Sequence, residues 1–196
     1  MVLEHIFYGL AWASFGLLHS VLAADSVKER LPLGRYYRLS YNGFALLHIG
    51  VVWWLGRQWL VGAPPLGIPP VASLIGDGVT VLGIVVIAIA LLGYDRGRFL
   101  GTTQIRSPED DADEELKTAG LLRYVRHPLY SGVFLVLWGH AQTEFSLATA
   151  VWGSIYLLIG AMYEERRLAD RYGEAYAAYR ERVPAFIPWR GRARPD

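Results

Sequence analysis

The spacing of the charges constrains this chain more than any other feature of its sequence. Long stretches carry almost no charged side chain, and Lys, Arg, Asp and Glu crowd into the segments between them. Ile6 to Ala24 is apolar apart from His19 and two serines. Leu39 to Leu55 follows, ending in Trp53, Trp54 and Trp59, the aromatic residues expected at a membrane interface. Val71 to Gly93 is a third run, with Asp77 near its entrance, after a turn-rich connection from Gly62 to Pro70. Leu129 to Tyr163 is apolar again but interrupted at Gln142 to Glu144. A membrane-spanning helix takes about 20 residues. The last run is short for two full crossings, which predicts a tight helical hairpin, tilted or sheltered by its neighbours. The expected fold is all-α: a polytopic integral membrane protein with about five transmembrane helices and a cytosolic C-terminal amphipathic helix, built as a single domain over residues 1–196.

Composition agrees. Of the 196 residues, 53% are apolar and only 19% are charged, against roughly 25% charged in an average soluble domain. The net charge of +1 gives no reason to expect nucleic acid as a partner, whereas membrane lipid is expected. Cysteine is absent, so disulfides, thiolate metal sites and a cysteine nucleophile are not available. No metal is expected. Glu4, in place of a basic flank, argues against a cleaved signal peptide.

The basic residues set the expected orientation. Eighteen of the 19 Lys and Arg fall in three segments: the first loop (Lys28 to Arg38), the stretch from Arg96 to Arg126, and the chain from Arg166 onward. Arg57 alone lies on the other side. Five spans with this charge bias place the N-terminus outside and the C-terminus in the cytosol. The Ala- and Arg-rich composition points to a bacterial cytoplasmic membrane.

The most informative short stretch is GLLRYVRHPLYSG, from Gly120 to Gly132. Pro128 suits the first turn of a helix, and a residue before proline is biased away from helix. His127 therefore belongs just outside a helix that starts near Pro128. The free N–H groups and positive dipole end of that helix would face Arg123, Arg126 and His127. Glu164 and Glu165 close the final apolar run, and a tight hairpin brings them back to the same end. Tyr124, Tyr130, Tyr163, Tyr172 and Tyr176 surround the cluster. Carboxylates beside aromatic faces suit a cationic, partly apolar ligand. The same residues also read as an interfacial salt-bridge network. Glu164 to Arg182 is expected as one charged helix, with Leu168, Tyr172, Tyr176 and Tyr179 on an apolar face. His19, inside the first span, is a candidate by the general rule that ionisable residues within membranes are functional. A helix-packing role is equally open to it.

The block YVRHPLYSG, a short apolar hairpin, and then EERRLADRYGEAYAAYRERVP together resemble the isoprenylcysteine carboxyl methyltransferase family of membrane enzymes over about residues 100–190. The N-terminal half, with His19–Ser20 and then Val27–Lys28, is more similar to the bacterial methanethiol methyltransferase and NnrU-like branches. The resemblance implies an S-adenosylmethionine-dependent methyltransferase, with residues 1–93 forming three N-terminal spans and 94–190 the cofactor-binding core. It implies cofactor contacts from Leu116 and Lys117, from His127, Pro128, Leu129 and Tyr130, and from Glu164, with Glu165 in support. The catalytic residue is open, with Arg126 and His19 as candidates. Where prenylcysteine enzymes carry an arginine one turn before the glutamate, this chain has Gly160. A carboxylate acceptor would lose its ion-pair partner there, which favours a small or lipophilic thiol. Methylation of an isoprenylcysteine carboxylate or a lipid amine is the alternative, and a non-catalytic NnrU-like role a further one. The acidic run Glu109 to Glu115 is read as a lid or a solvated loop.

Overall fold

The computed structural model describes residues 2–93, 97, 102–106 and 115–190, and all of the regular structure among them is helical. Helix α1 (Val2–Ala23) leads through the short α2 (Asp25–Arg30) to α3 (Tyr37–Trp59). α4 (Pro70–Leu92) follows, then the brief α5 (Thr102–Arg106). α6 (Pro128–Gly139) and α7 (Glu144–Tyr172) form the hairpin, and α8 (Glu174–Arg182) is the last helix among the described residues. The acidic run lies outside the described residues, except for Glu115.

Three helices, α1, α4 and α7, have the length and apolar character of membrane spans. Their outward faces are apolar and exposed: Leu10 and Leu17 on α1, Leu74 and Val81 on α4, Leu158 and Ile159 on α7. A soluble protein rarely exposes so continuous an apolar surface, so lipid is its solvent. α3 matches α1 in length, but Arg38, Asn42, His48 and Arg57 make it more polar. α6 has only 12 residues, about 18 Å at 1.5 Å per residue, and falls short of a hydrocarbon core about 30 Å thick. The hairpin is therefore unequal, with a half-length arm against a long one.

Two packing devices hold the bundle. On one side, Tyr8, Trp12 and Phe15 of α1 are buried with Val52, Leu60 and Ala148 from α3, its C-terminal end and α7. The Tyr8 hydroxyl meets the Thr149 hydroxyl at 2.8 Å. On the other side, α4 and α6 approach through glycine. Gly83 faces Gly132 and Gly76 faces Gly139, so the two helices run antiparallel with matching seven-residue spacing. A Cβ on Gly83 would lie 2.7 Å from the Gly132 carbonyl oxygen, and one on Gly139 would lie 2.6 Å from that of Gly76. Without a hydrophobic driving force between helices in lipid, close approach of small residues is what makes such a pair stable.

The turn between α6 and α7 is fixed by short polar contacts. The Thr143 hydroxyl accepts from the Ser146 amide, and the Ser146 hydroxyl accepts from the Thr143 amide in return, a reciprocal cap at the start of α7. Gln142 donates to Asp77 at 2.7 Å and accepts from the Ser73 hydroxyl at 2.6 Å, which ties the turn to α4. Thr143→Ala should cost about 1 kcal/mol of stability, read as a small fall in melting temperature. An unchanged value would show that the cap is redundant with the Gln142 bonds.

The expected single helix from Glu164 to Arg182 is not what the chain forms. Glu164 to Tyr172 continues α7 without a break, and Gly173, at φ 54°, ends it. That backbone region strains residues with a Cβ and suits glycine. The chain turns there, and α8 folds back. Tyr176, Tyr179 and Val183 become buried, with Leu116, Leu168 and Tyr172 packed against them. The apolar aromatic face read from the sequence exists, but it closes on itself across a bend.

Candidate active site

The charged end of the bundle is assembled from three pieces of chain. His127 caps α6 from outside the helix (φ −123°, ψ 64°), and Pro128 occupies the first turn, as the local sequence predicts. The segment after α8 runs alongside: the Arg126 amide donates to the Pro184 carbonyl at 2.9 Å, and the His127 amide donates to the Ala185 carbonyl at 3.0 Å. Ser131 adds a bond from its hydroxyl to the Phe186 carbonyl at 2.8 Å. α7 then delivers Glu164 and Glu165.

The two glutamates, adjacent in sequence, occupy different environments. Glu165 is the acceptor at the centre. Arg126 donates to its Oε1 from Nε at 2.9 Å and from Nη2, His127 Nε2 lies 3.1 Å from the same oxygen, and Arg180 Nε lies 3.8 Å from Oε2. Arg126 also donates from Nη1 to the Val183 and Arg180 carbonyls. All three guanidinium nitrogens are thus engaged within the protein, and the side chain is only 9% exposed. Glu164 sits 3.6 Å from His127 Nδ1 and keeps 43% of its side chain exposed. The imidazole is held between the two carboxylates, stacks on Tyr130 (centroids 5.4 Å apart, planes within 9°) and tilts against Phe186.

This geometry sorts the residues singled out from the sequence. His127, Pro128, Tyr130, Glu164, Glu165 and Arg126 meet at one end of the bundle. Leu116 packs against the buried Tyr176–Tyr179–Val183 group, Lys117 is exposed nearby in sequence, and Leu129 is half-buried in the first turn of α6. His19 is not part of this cluster: its hydroxyl partner is Tyr41, on α3.

The residues missed from the sequence line a surface cleft of about 520 Å³ beside the cluster: Ala169, Tyr176, Ala177, Arg180, Glu181 and Arg190. Apart from Tyr176, none was singled out. The only sequence signal was their four-residue spacing, Tyr176 to Arg180 and Ala177 to Glu181. The cleft lies within the usual range for a small-ligand site, about 300–1,000 Å³. It touches the cluster through Arg180 and Tyr176. Tyr176 is 1% exposed, and its buried hydroxyl, next to the Arg126 guanidinium, has no acceptor for its own proton. Burial, and then the nearby Glu165 carboxylate, push the Tyr176 phenol above its ordinary value, so it remains a neutral donor at neutral pH. A buried donor without an acceptor beside a cleft is costly unless something fills the bond. Among the described residues, no group of three or more His, Asp or Glu is arranged to hold a metal ion.

The phospholipid methyltransferase family model matches residues 72–175, the stretch that carries α4, α6 and the whole of α7 with its glutamates. The chain belongs to this family of membrane methyltransferases. Among curated relatives, a methanethiol S-methyltransferase of Crocosphaera subtropica is 31% identical over 191 residues, covering 91% of this chain and 72% of the relative. Methanethiol S-methyltransferase 1 of Bradyrhizobium diazoefficiens is 28% identical, covering 92% of this chain and 66% of its own length. The protein-S-isoprenylcysteine O-methyltransferase of Schizosaccharomyces pombe is 30% identical over 92 residues, covering 44% of this chain and 38% of its own. No solved structure matches the chain. These matches support the family resemblance drawn from the RHPLY and EE elements, and an enzyme over a non-catalytic membrane protein.

Proposed function

We propose that this family member transfers a methyl group from S-adenosylmethionine to a small or lipophilic thiol at the cytosolic face of the membrane. The observation that carries the reading is the split between the two glutamates. Glu165 is committed to Arg126 and His127, while Glu164, 3.6 Å from the same imidazole, offers an exposed carboxylate beside the stacked His127–Tyr130 pair. The donor set suits that cofactor. A carboxylate meets an ammonium group, aromatic faces meet a sulfonium, and the Tyr176 hydroxyl, with no acceptor of its own, gives a donor for a polar edge. When bound, the cofactor supplies an electrophilic methyl carbon on a positively charged sulfur. The protein's task is to align donor and acceptor and exclude water, and alignment alone can be worth up to about 7–11 kcal/mol.

Two further points favour a thiol. The relatives that cover nearly all of this chain bear methanethiol S-methyltransferase names. Gly160, one turn before Glu164, offers no cation to a carboxylate acceptor. Methylation of a prenylcysteine carboxylate or a lipid amine is the second reading, favoured by the fission-yeast relative and by the name of the family. Arg123, Arg126, Arg166, Arg167 and Arg180, close in sequence or space to His127 and Glu164, support a cytosolic site with the N-terminus outside.

Calorimetry on the purified protein should show binding of S-adenosylmethionine. Folded protein that gives no heat would remove both enzymatic substrate readings. A panel of alkyl thiols, prenylcysteine analogues and amino-lipids with labelled cofactor then identifies the acceptor. Glu164→Ala should weaken cofactor binding about 10- to 100-fold, the worth of a charge-assisted hydrogen bond, while the melting temperature without ligand stays near that of the wild type. Equal losses of fold and affinity would make Glu164 structural.

A further inference from the structure

His19 lies outside the glutamate cluster, yet it is neither isolated nor buried in aliphatic packing. It projects from the last turns of α1 into a box of aromatic rings: Phe15 at 5.5 Å, Tyr41 of α3 at 5.0 Å and Tyr156 of α7 at 5.9 Å between centroids. The Tyr41 hydroxyl lies 2.6 Å from its Nε2 and 3.1 Å from its Nδ1, and bonds one of the two. Phe15 is itself packed on Tyr156 at 5.0 Å, so the box is continuous from α1 to α7. The ring is half-buried rather than sealed.

Tyr156 connects this box to the cofactor end. Tyr156, Gly160 and Glu164 are four residues apart on α7 and form one stripe of that helix. The stripe covers about 12 Å at 1.5 Å per residue. Midway along it, Gly160 leaves open space. A Cβ placed there would find only the Tyr130 hydroxyl, at 3.8 Å, and Tyr130 is the residue stacked on His127. The gap beside Gly160, bordered by the Tyr130 hydroxyl, lies one helical turn from Tyr156 and one from Glu164. Sulfur is soft and makes favourable contacts with aromatic edges, so the gap suits a small thiol better than a charged or bulky acceptor.

We infer that the acceptor thiol occupies the space at Gly160, between Tyr130 and Tyr156, and that His19, oriented by Tyr41, removes its proton. This rests on the thiol reading of the proposed function. Even a cysteine thiol, with a pKa near 8.5, is mostly protonated at neutral pH; a simple alkanethiol is a weaker acid still, and apolar surroundings disfavour the thiolate further. A base in the membrane-embedded half of the site answers that difficulty. The step balances. The S–H proton goes to the imidazole, the thiol sulfur forms a bond to the methyl carbon, and the bond from that carbon to the sulfonium breaks with its electron pair returning to the donor sulfur. The imidazolium then releases the proton to water. The titratable or charged groups near the imidazole are Tyr41, with Tyr37 and Arg38 one turn away on α3, and Tyr156 on α7.

The test uses the full chain, purified, with methanethiol as acceptor. His19→Gln should lower kcat at pH 7 by about 100-fold or more, the scale of general-base catalysis. The residual rate should climb about tenfold per pH unit below the thiol pKa, because the variant must draw thiolate from solution. The dissociation constant for S-adenosylmethionine should stay within twofold of wild type. Tyr41→Phe, a milder change, should retain the fold and lose about tenfold in kcat with a shifted pH profile. A wild-type rate and profile in His19→Gln would overturn the inference and leave the methyltransferase reading intact. Parallel loss of cofactor affinity and melting temperature in both variants would also overturn it, since that marks a packing role. A wild-type protein that binds the cofactor but methylates only carboxylates or amines would defeat the thiol reading, and the base assignment with it.

Discussion

Arg126→Ala should destabilise the protein by about 3–5 kcal/mol, the scale for removing one partner of a buried ion pair. The change does more than delete one bond. Glu165, 17% exposed, would lose the guanidinium that contacts it through two nitrogens, leaving His127 and the more distant Arg180. The Val183 and Arg180 carbonyls would lose the same donor, and with it a tie between α6 and the end of α8. A fall of roughly 10 °C in melting temperature is the expected readout. Glu165→Ala should do the same, and the double variant should fall short of the sum, because the two residues act through one contact. Glu164→Gln, at a half-exposed position, should leave melting nearly unchanged. If Arg126→Ala melted like the wild type while cofactor binding vanished, Arg126 would belong to the ligand site instead of its scaffold.

Gly132→Val should be strongly damaging, at about 3 kcal/mol or more, the upper range of overpacking. Its added Cβ would meet the Gly83 carbonyl oxygen at 2.9 Å and Ile87 at 2.7 Å. The backbone of α4 cannot swing aside as a side chain can, so the helices must part. Gly78→Ala, on the facing helix α4, is the control: nothing lies within 4 Å of its Cβ, and alanine favours helix over glycine by up to about 1 kcal/mol. Equal melting temperatures for the two variants would refute glycine-mediated packing of α4 on α6. The consequence extends to the site. α6 begins at Pro128, directly after His127, so a displaced α6 carries the imidazole away from Glu164 and Glu165. Gly132→Val should therefore weaken cofactor binding although it touches no ligand.

Much of this arrangement was legible in the residues. Apolar runs of span length between charged loops dictate a membrane bundle, because charge is expensive in hydrocarbon and water-exposed loops are not. Pro128 marks the start of α6 through its fixed φ and missing N–H. The Gln142–Glu144 interruption marks the hairpin turn, and a short hairpin must return Glu164 to the end that holds His127. Other features could not be read locally. The length of α6 is set by where it meets the turn anchored on α4, so a 12-residue arm looked in sequence like part of a span. The bend at Gly173 was hidden because the 3–4 spacing of Leu168, Tyr172, Tyr176 and Tyr179 continues across it.

By itself, the sequence determined the solvent of this protein, the class of its fold, and which charged residues meet at one end of the bundle, since those follow from hydropathy, proline and charge along one dimension. Only the tertiary structure decided how the two adjacent glutamates divide. Whether a carboxylate is saturated by Arg126 or left exposed depends on segments distant in the chain converging on it, and no local pattern encodes that. The same holds for His19. Its place in an aromatic box exists only because α1, α3 and α7 cross there, and side chains more than a hundred residues apart become neighbours through packing alone.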